Sequence, residues 1–209
     1  MVDVPRTCKG LRHGWRVQAR TGCPEAGQPL ERDLFRCESI TLTTHWVLIV
    51  IDQFTRRIVG FAVQRGTVKE AQLCRMFNDA THGAGTPKRL STDHDPIFES
   101  HRWKSNLRVV GIEEVKTVAH VPTSHPFVER VIGTVRREFL DDTIFWNRID
   151  VERKLSAFQR DYNSERVHQS HAGKTPDEIV GASASPPAQL HFFRWRSTCN
   201  RLVQLPIAA

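Results

Sequence analysis

The stretch HWVLIVIDQFTRRIVGFAV, residues 45–63, contains two apolar runs rich in β-branched residues, separated by a short polar break. Runs of this length and composition are typical of buried β-strands. The break, DQFTR at residues 52–56, begins with an aspartate, a common turn residue. We therefore predict a β-hairpin, with strands over 45–51 and 57–63.

The segments around the hairpin predict a mixed α/β fold. Leu73, Met76, Phe77 and Ala80 recur at helical spacing after the second strand. A hairpin makes neighbouring strands antiparallel, whereas helical crossovers make later strands parallel. The expected architecture is a mixed five-stranded sheet flanked by helices. Its further elements are a first strand in DLFRCESITL (33–42), short strands at 88–92 and 112–118, and helices near 68–81, 96–110, 126–141 and 150–163.

Charge and composition narrow the class of protein. The chain of 209 residues is 39% hydrophobic, enough for a packed core. Its 30 Lys and Arg against 23 Asp and Glu give a net charge of +7. This excess favours a polyanionic partner such as nucleic acid, although a solvated basic surface explains it equally well. The five cysteines include no C-x-x-C pair, which argues against a zinc ribbon.

No membrane segment or secretion signal is evident. The longest purely apolar run, residues 47–51, is far too short to cross a bilayer. The N-terminus lacks the basic start and apolar stretch of a signal peptide. We expect a soluble cytoplasmic protein with no membrane partner.

The segment STDHDPIFES, residues 91–100, places two aspartates around a histidine. Asp95 directly precedes Pro96, a pattern typical of a helix start, so we expect Asp95 to cap a helix. Asp93 lies at the C-terminal end of a predicted strand, where open α/β sheets hold their ligands. Asp93 is therefore a candidate functional acid, although a solvated loop aspartate remains an alternative.

Glu129 lies early in the helix predicted over 126–141, outside its apolar stripe. Gly133 follows four residues later on the same face, and glycine costs about 1 kcal/mol relative to alanine inside a helix. We therefore expect another group to approach closely there. An acid in the first turn also stabilises the helix dipole, which explains Glu129 without a function. Arg130 and Arg137 are predicted to point away from the core, as phosphate contacts or as solvated charges.

The order and spacing of three acids resemble the catalytic core of DDE transposases and retroviral-type integrases. Asp33, Asp93 and Glu129 take the triad positions, with the 35 residues from 94 to 128 between the last two. STDHDPIF is similar to the family's second-aspartate motif, with Phe98 in register. SHPFVERVIGTVRREFLD (124–141) is similar to the glutamate helix. YNSERVHQSHAGKTPDEIVG (162–181) resembles the segment that follows the core in bacterial insertion-sequence transposases.

The resemblance implies an RNase H-like fold and a DNA transposase or integrase activity. Asp33, Asp93 and Glu129 would hold two Mg²⁺ or Mn²⁺ ions per site, which prefer oxygen ligands, for DNA cleavage and strand transfer. Asp33 would bridge both ions. DNA element ends, target DNA and further copies of the chain are the implied partners, near the nucleoid of a bacterial cell. Asp52 is a competing first acid, but its predicted turn position favours Asp33.

We divide the chain into a basic arm or remnant (1–30), an RNase H-like core (31–145) and a helical basic extension (146–209). The arm shows no helix pair of the kind that recognises element ends, so we expect a shortened protein whose own activity is open. In the extension, LHFFRWR (190–196) interleaves aromatic residues with Arg194 and Arg196. That pattern suits DNA contact, or an alternating strand half-buried against the core. We expect four tryptophans to pack: Trp46, Trp103, Trp146 and Trp195.

Two other functions fit the same sequence. One is a DNA-binding transposase fragment without catalysis, and the other is a metal-dependent RNase H-like nuclease, because a fold does not settle a function. The spacing between Asp93 and Glu129, together with residues 162–181, favours the transposase.

Overall fold

The computed structural model describes residues 29–83, 87–92, 95–116, 126–182, 189, 191–198 and 203–208. A five-stranded sheet with the strand order β3-β2-β1-β4-β5 forms its centre, and β6 and β7 form a second sheet. The strands are β1 (Pro29–Glu38), β2 (Thr44–Asp52), β3 (Ile58–Arg65), β4 (Arg89–Thr92), β5 (Glu113–Lys116), β6 (Phe193–Thr198) and β7 (Val203–Ala208). The helices are α1 (Glu70–Thr81), α2 (His101–Val110), α3 (Pro126–Val135), α4 (Arg148–Glu165) and α5 (Pro176–Ile179).

The predicted hairpin and the mixed sheet are confirmed. β1, β2 and β3 pair antiparallel, whereas β4 joins β1 and β5 joins β4 in parallel. Residues 47–51 are fully buried because helices cover both faces of the sheet. β1 begins at Pro29, four residues earlier than predicted, and so includes Glu31 and Arg32. The arm predicted over residues 1–30 lies outside the described residues, apart from Pro29 and Leu30.

Two apolar clusters fill the space between the sheet and its helices. One joins β1 and β2 to α3 and α4, and the other joins the opposite face to α1 and α2. Side chains alternate along a strand, so Glu31, Asp33 and Phe35 share one face of β1. Phe35 belongs to the cluster with α3 and α4, and Leu30 belongs to the other. Asp33 therefore faces the side of the sheet that α3 covers.

α4 is fastened to β3 at an irregularity of the sheet, where the β2–β3 register shifts. The side-chain oxygen of Asn163 accepts the N–H of Ile58 at 2.9 Å, and its amide nitrogen donates to the carbonyl of Ile58 at 2.9 Å. Gln159 donates to the carbonyls of Ile58 and Val59. Asn163, part of the Tyr-Asn pair found in the sequence, thus satisfies buried backbone groups.

The helix that carries Glu129 changes form at Arg136. It is α-helical through Val135, and residues Arg136–Leu140 form a π-helical turn. The expected α-helix to residue 141 is therefore wrong in its last part. The apolar stripe continues through this turn, because Phe139 is fully buried.

The group that approaches Gly133 is the guanidinium of Arg137. A Cβ atom added to Gly133 would lie 3.1 Å from Nη1 of Arg137. Arg137 is exposed, so its side chain can move aside. We expect Gly133→Ala to raise the free energy of unfolding by about 0.5–1 kcal/mol, because alanine is the better helix former.

Urea denaturation measures this change. The matched control is Gly111→Ala, because Gly111 ends α2 at φ 80°. Alanine is strained there and should lower the free energy of unfolding by about 1 kcal/mol. A loss of stability in Gly133→Ala would show that Arg137 is held in place.

Two predictions about aromatic residues are wrong. Trp103 is fully buried, as expected, but Trp146 and Trp195 are each 62% exposed. β6 is a strand, yet it pairs with β7, and its aromatic face does not pack on the core. On that face, Phe193 and Trp195 meet edge to face with 5.4 Å between ring centroids.

Candidate active site

Asp33 lies in the middle of β1 and is half-buried. One of its carboxylate oxygens accepts the N–H of Leu34 at 2.6 Å. Asp93 lies outside the described residues, one position after the end of β4. Within the described residues, no group of three His, Cys, Asp or Glu side chains could hold a metal ion. The convergence of the three acids therefore stays a prediction.

Glu129 is exposed in the first turn of α3, next to the point where that helix contacts β1. The N–H of Val128 donates to Oε2 of Glu31 at 3.2 Å. Glu31 is 0% exposed and precedes Asp33 by two positions on the same face of β1. This hydrogen bond joins the two elements that carry Asp33 and Glu129.

Charges at this junction influence one another. Burial raises the pKa of Glu31, the Val128 N–H and the nearby Arg56 oppose that rise, and the charge of Glu129 adds to it. Burial also lowers the pKa of Arg56, against the effect of Glu31. The guanidinium of Arg56 stacks over the ring of Phe127. Arg56 thus links the β2–β3 turn to the start of α3.

On the other face of β1, a buried arginine anchors the segment that follows Asp93. Arg32 is 3% exposed, and its guanidinium stacks on Phe98, with Trp103 also within 4.9 Å. Asp95 accepts the N–H of Ile97 at 3.0 Å and caps a 3-10 turn over Pro96–Phe98. The capping prediction is confirmed, and Phe98 has a packing role.

Asp52 has the structural role expected of a turn residue. It is buried, and its Oδ1 accepts the N–H groups of Phe54 at 2.9 Å and Thr55 at 3.2 Å. Its carboxylate is therefore occupied by the β2–β3 turn.

A cluster of aromatic rings and charged side chains lies at the end of α4 and in the residues that follow it, beside the contact between β1 and α3. Arg166 forms an ion pair with Glu138 through both of its terminal nitrogens. The Tyr162 ring meets His168 edge to face at 5.5 Å, and His171 lies 6.2 Å from His168. Burial raises the pKa of Tyr162 to about 12. The cluster ties the π-helical turn to the end of α4.

The stability of the fold should depend on pH through His168. Burial lowers the pKa of His168, and the positive charges of Arg166, His171 and Arg56 lower it further. The unfolded chain therefore takes up the proton first as the pH falls. The contribution of His168 is complete above the unfolded pKa of about 6.5 and declines below it.

Urea denaturation between pH 8 and pH 5 tests this dependence. The free energy of unfolding should fall less steeply in His168→Gln than in the wild type. The control is His101→Gln, which makes the same substitution at an exposed histidine of α2. Parallel curves for the wild type and His168→Gln would contradict the assignment.

The predicted DNA-contacting arginines differ in their surroundings. Arg130, Arg137 and Arg194 are exposed, whereas Arg196 is half-buried and paired with Glu165 on α4. Arg130 and Arg137 are seven residues apart, a spacing that places two residues on one face of a regular α-helix. The π-helical turn that begins at Arg136 breaks that spacing.

Sequence reasoning missed Glu31, Arg32 and Arg56. The signal for Glu31 was its place in the alternation with Asp33 and Phe35, which puts a charge at a core-facing position. The roles of Arg32 and Arg56 depend on aromatic partners distant in sequence and had no local signal.

Among the helices that the structure describes, none combines the length and the apolar character needed to cross a membrane.

The sequence is similar to a known protein family and to proteins of bacterial insertion elements. Residues 110–176 match the family model of the integrase core domain. An uncharacterized 39.2 kDa protein of insertion element IS476 from Xanthomonas euvesicatoria is 30% identical over 136 residues, which cover 65% of this chain and 39% of that protein. The transposase for insertion sequence element IS904 from Lactococcus lactis subsp. lactis is 25% identical over 138 residues, covering 65% of this chain and 54% of that protein. The chain thus spans about half or less of these relatives.

A solved structure shares the architecture. The HTLV-2 integrase catalytic core domain in complex with magnesium aligns with a TM-score of 0.56 at 18% identity, covering 74% of this chain and 97% of that one. This similarity shows the fold, and the RNase H-like prediction is confirmed.

Proposed function

Because this chain belongs to the family of DDE transposase and retroviral-type integrase catalytic cores, we propose that it cleaves DNA strands and transfers their ends to a target DNA. The observation that carries the proposal is the contact between α3 and β1 at Glu31 and Val128. It holds the first turn of α3, with Glu129, against the strand that carries Asp33.

The chemistry of the donors fits Mg²⁺ or Mn²⁺. Asp33 and Glu129 offer only carboxylate oxygens, which these hard cations prefer. The pairing of β1 with β4 supports Asp93 as a third metal ligand. Each paired residue of β1 lies opposite the residue of β4 that is 60 positions later in the chain. In the sequence, Asp33 follows Glu31 by two positions, as Asp93 follows Ser91, the partner of Glu31. Two such ions bound there would activate an attacking hydroxyl and stabilise the leaving oxygen.

The protein's own groups would bind and orient the DNA. Asp33 stands on the central strand of the sheet, where it pairs with Ile49 of β2, and the pairing of β1 with β4 reaches Glu31, two residues before it. Glu129 extends into solvent from the start of α3, where a nucleic acid can reach it. The exposed Arg130 and Arg137 on the same helix would contact phosphates. We further propose that more than one copy of the chain acts on each DNA end.

Oligonucleotide duplexes that carry terminal inverted repeats, sought in the DNA on either side of the gene, test this function. The purified chain should nick them at the repeat end and join the exposed 3′ end to a second duplex with Mg²⁺ or Mn²⁺, and not with EDTA. Binding without cleavage in either metal would favour the silent DNA-binding fragment. Cleavage of RNA–DNA hybrids without any joining would favour the nuclease.

A further inference from the structure

Glu31 is a buried carboxylic acid on the central strand β1, on the face of the sheet that α3 covers. None of its surface is exposed, and Oε2 accepts the Val128 N–H. Oε1 has no hydrogen-bond partner within the described part of the chain. Burying a carboxylate is unfavourable unless a specific contact compensates. The hydrogen bond from the Val128 N–H of α3 is a specific contact that can compensate for the burial of Glu31.

Val128 is the third residue of α3. The first four N–H groups of an α-helix have no acceptor within the helix, so the Val128 N–H needs an outside partner. Glu31 supplies that partner from 97 positions earlier in the chain. A negative charge at this end also favours the helix dipole.

The contact flanks the proposed metal ligands on both elements. Glu129 directly follows Val128, and Asp33 follows Glu31 by two positions on the same face of β1. We propose that Glu31 is a positioning residue, whose carboxylate fixes the first turn of α3 on β1 so that Glu129 stands beside Asp33. This inference rests on the proposed function, because it assumes that both acids serve one metal site.

Glu31 acts through its acceptor oxygen and not as a metal ligand. Glutamine keeps an oxygen that can accept the Val128 N–H but removes the charge. Alanine removes the oxygen altogether. The pair Glu31→Gln and Glu31→Ala therefore separates the two roles.

The experiment uses the full chain and two readouts that do not require activity. Mn²⁺ titration followed by electron paramagnetic resonance measures metal affinity, and hydrogen exchange followed by mass spectrometry measures protection of residues 126–135. Glu31→Ala should weaken Mn²⁺ binding about tenfold or more, as expected when support of a ligand is lost. The amides of α3 should exchange faster in the same variant. Glu31→Gln should bind Mn²⁺ within about threefold of the wild type.

The matched control is Thr175→Ala. Thr175 accepts the N–H of Glu178 and caps α5, which packs on α4, so its loss is a local destabilisation of similar kind. Thr175→Ala should change neither readout. If Glu31→Ala does not fold, Glu31→Asp, one methylene shorter, replaces it.

The outcomes separate this inference from the function on which it rests. Wild-type Mn²⁺ affinity or unchanged α3 exchange in Glu31→Ala would overturn the positioning role, as would a Glu31→Gln variant as weak as Glu31→Ala. Mn²⁺ binding that Asp33→Asn leaves unchanged would instead contradict the proposed metal site.

Discussion

Replacing Asp33 by asparagine is expected to slow DNA strand transfer by about 10³-fold or more while DNA binding stays within about twofold of the wild type. Asparagine keeps the shape of the side chain and its acceptor for the Leu34 N–H, but it removes the charge that a divalent cation needs. Asp93→Asn and Glu129→Gln should have the same effect. Single-turnover strand transfer and gel-shift binding measure the two quantities.

Asp52→Asn is the matched control, because Asp52 is the competing first acid and receives the same substitution. Its Oδ1 accepts two turn N–H groups, and an asparagine oxygen can accept them as well. We expect Asp52→Asn to retain most of the activity. Full activity in Asp33→Asn together with loss in Asp52→Asn would reverse the assignment.

Gly60→Ala is expected to have the largest effect on stability. A Cβ atom at Gly60 would lie 2.0 Å from the carbonyl oxygen of Ala80 and 2.9 Å from its carbonyl carbon. These are backbone atoms of α1, so no side chain can rotate away to make room. We expect the free energy of unfolding to fall by about 3 kcal/mol, because β3 and α1 must separate.

Thermal unfolding measures this loss, which corresponds to a melting temperature lower by about 10 °C for a chain of this size. Gly133→Ala is the matched control, since the same added methyl group meets only the end of a flexible arginine. An unchanged melting temperature for Gly60→Ala would mean that α1 and β3 are not in such close contact.

The elements that depend on interactions between neighbouring residues were predicted correctly from the sequence. The hairpin follows from two apolar, β-branched runs. The cap at Asp95 follows from its position before Pro96, since capping needs only neighbouring residues. The start of β1 was missed because Glu31 and Arg32 break the apolar run, and both charges find distant partners inside the fold.

Contacts between distant segments explain the remaining misses. Nothing near Glu31 in the sequence indicates that it meets Val128, and nothing near Arg32 indicates that it stacks on Phe98. The apolar stripe past Val135 is the same for an α-helix and for the observed π-helical turn. Trp146 and Trp195 were predicted to be buried because their side chains are large and apolar, yet both are exposed. A large apolar side chain does not itself determine which neighbours cover it.

The central claim is that Asp33, Asp93 and Glu129 meet at one metal site, and anomalous X-ray scattering from Mn²⁺-soaked crystals tests it most directly. The claim predicts manganese peaks between β1 and α3, about 2.0–2.3 Å from carboxylate oxygens of all three residues. Manganese bound elsewhere, or a carboxylate of Asp93 or Glu129 too far from Asp33 to share an ion with it, would contradict the claim.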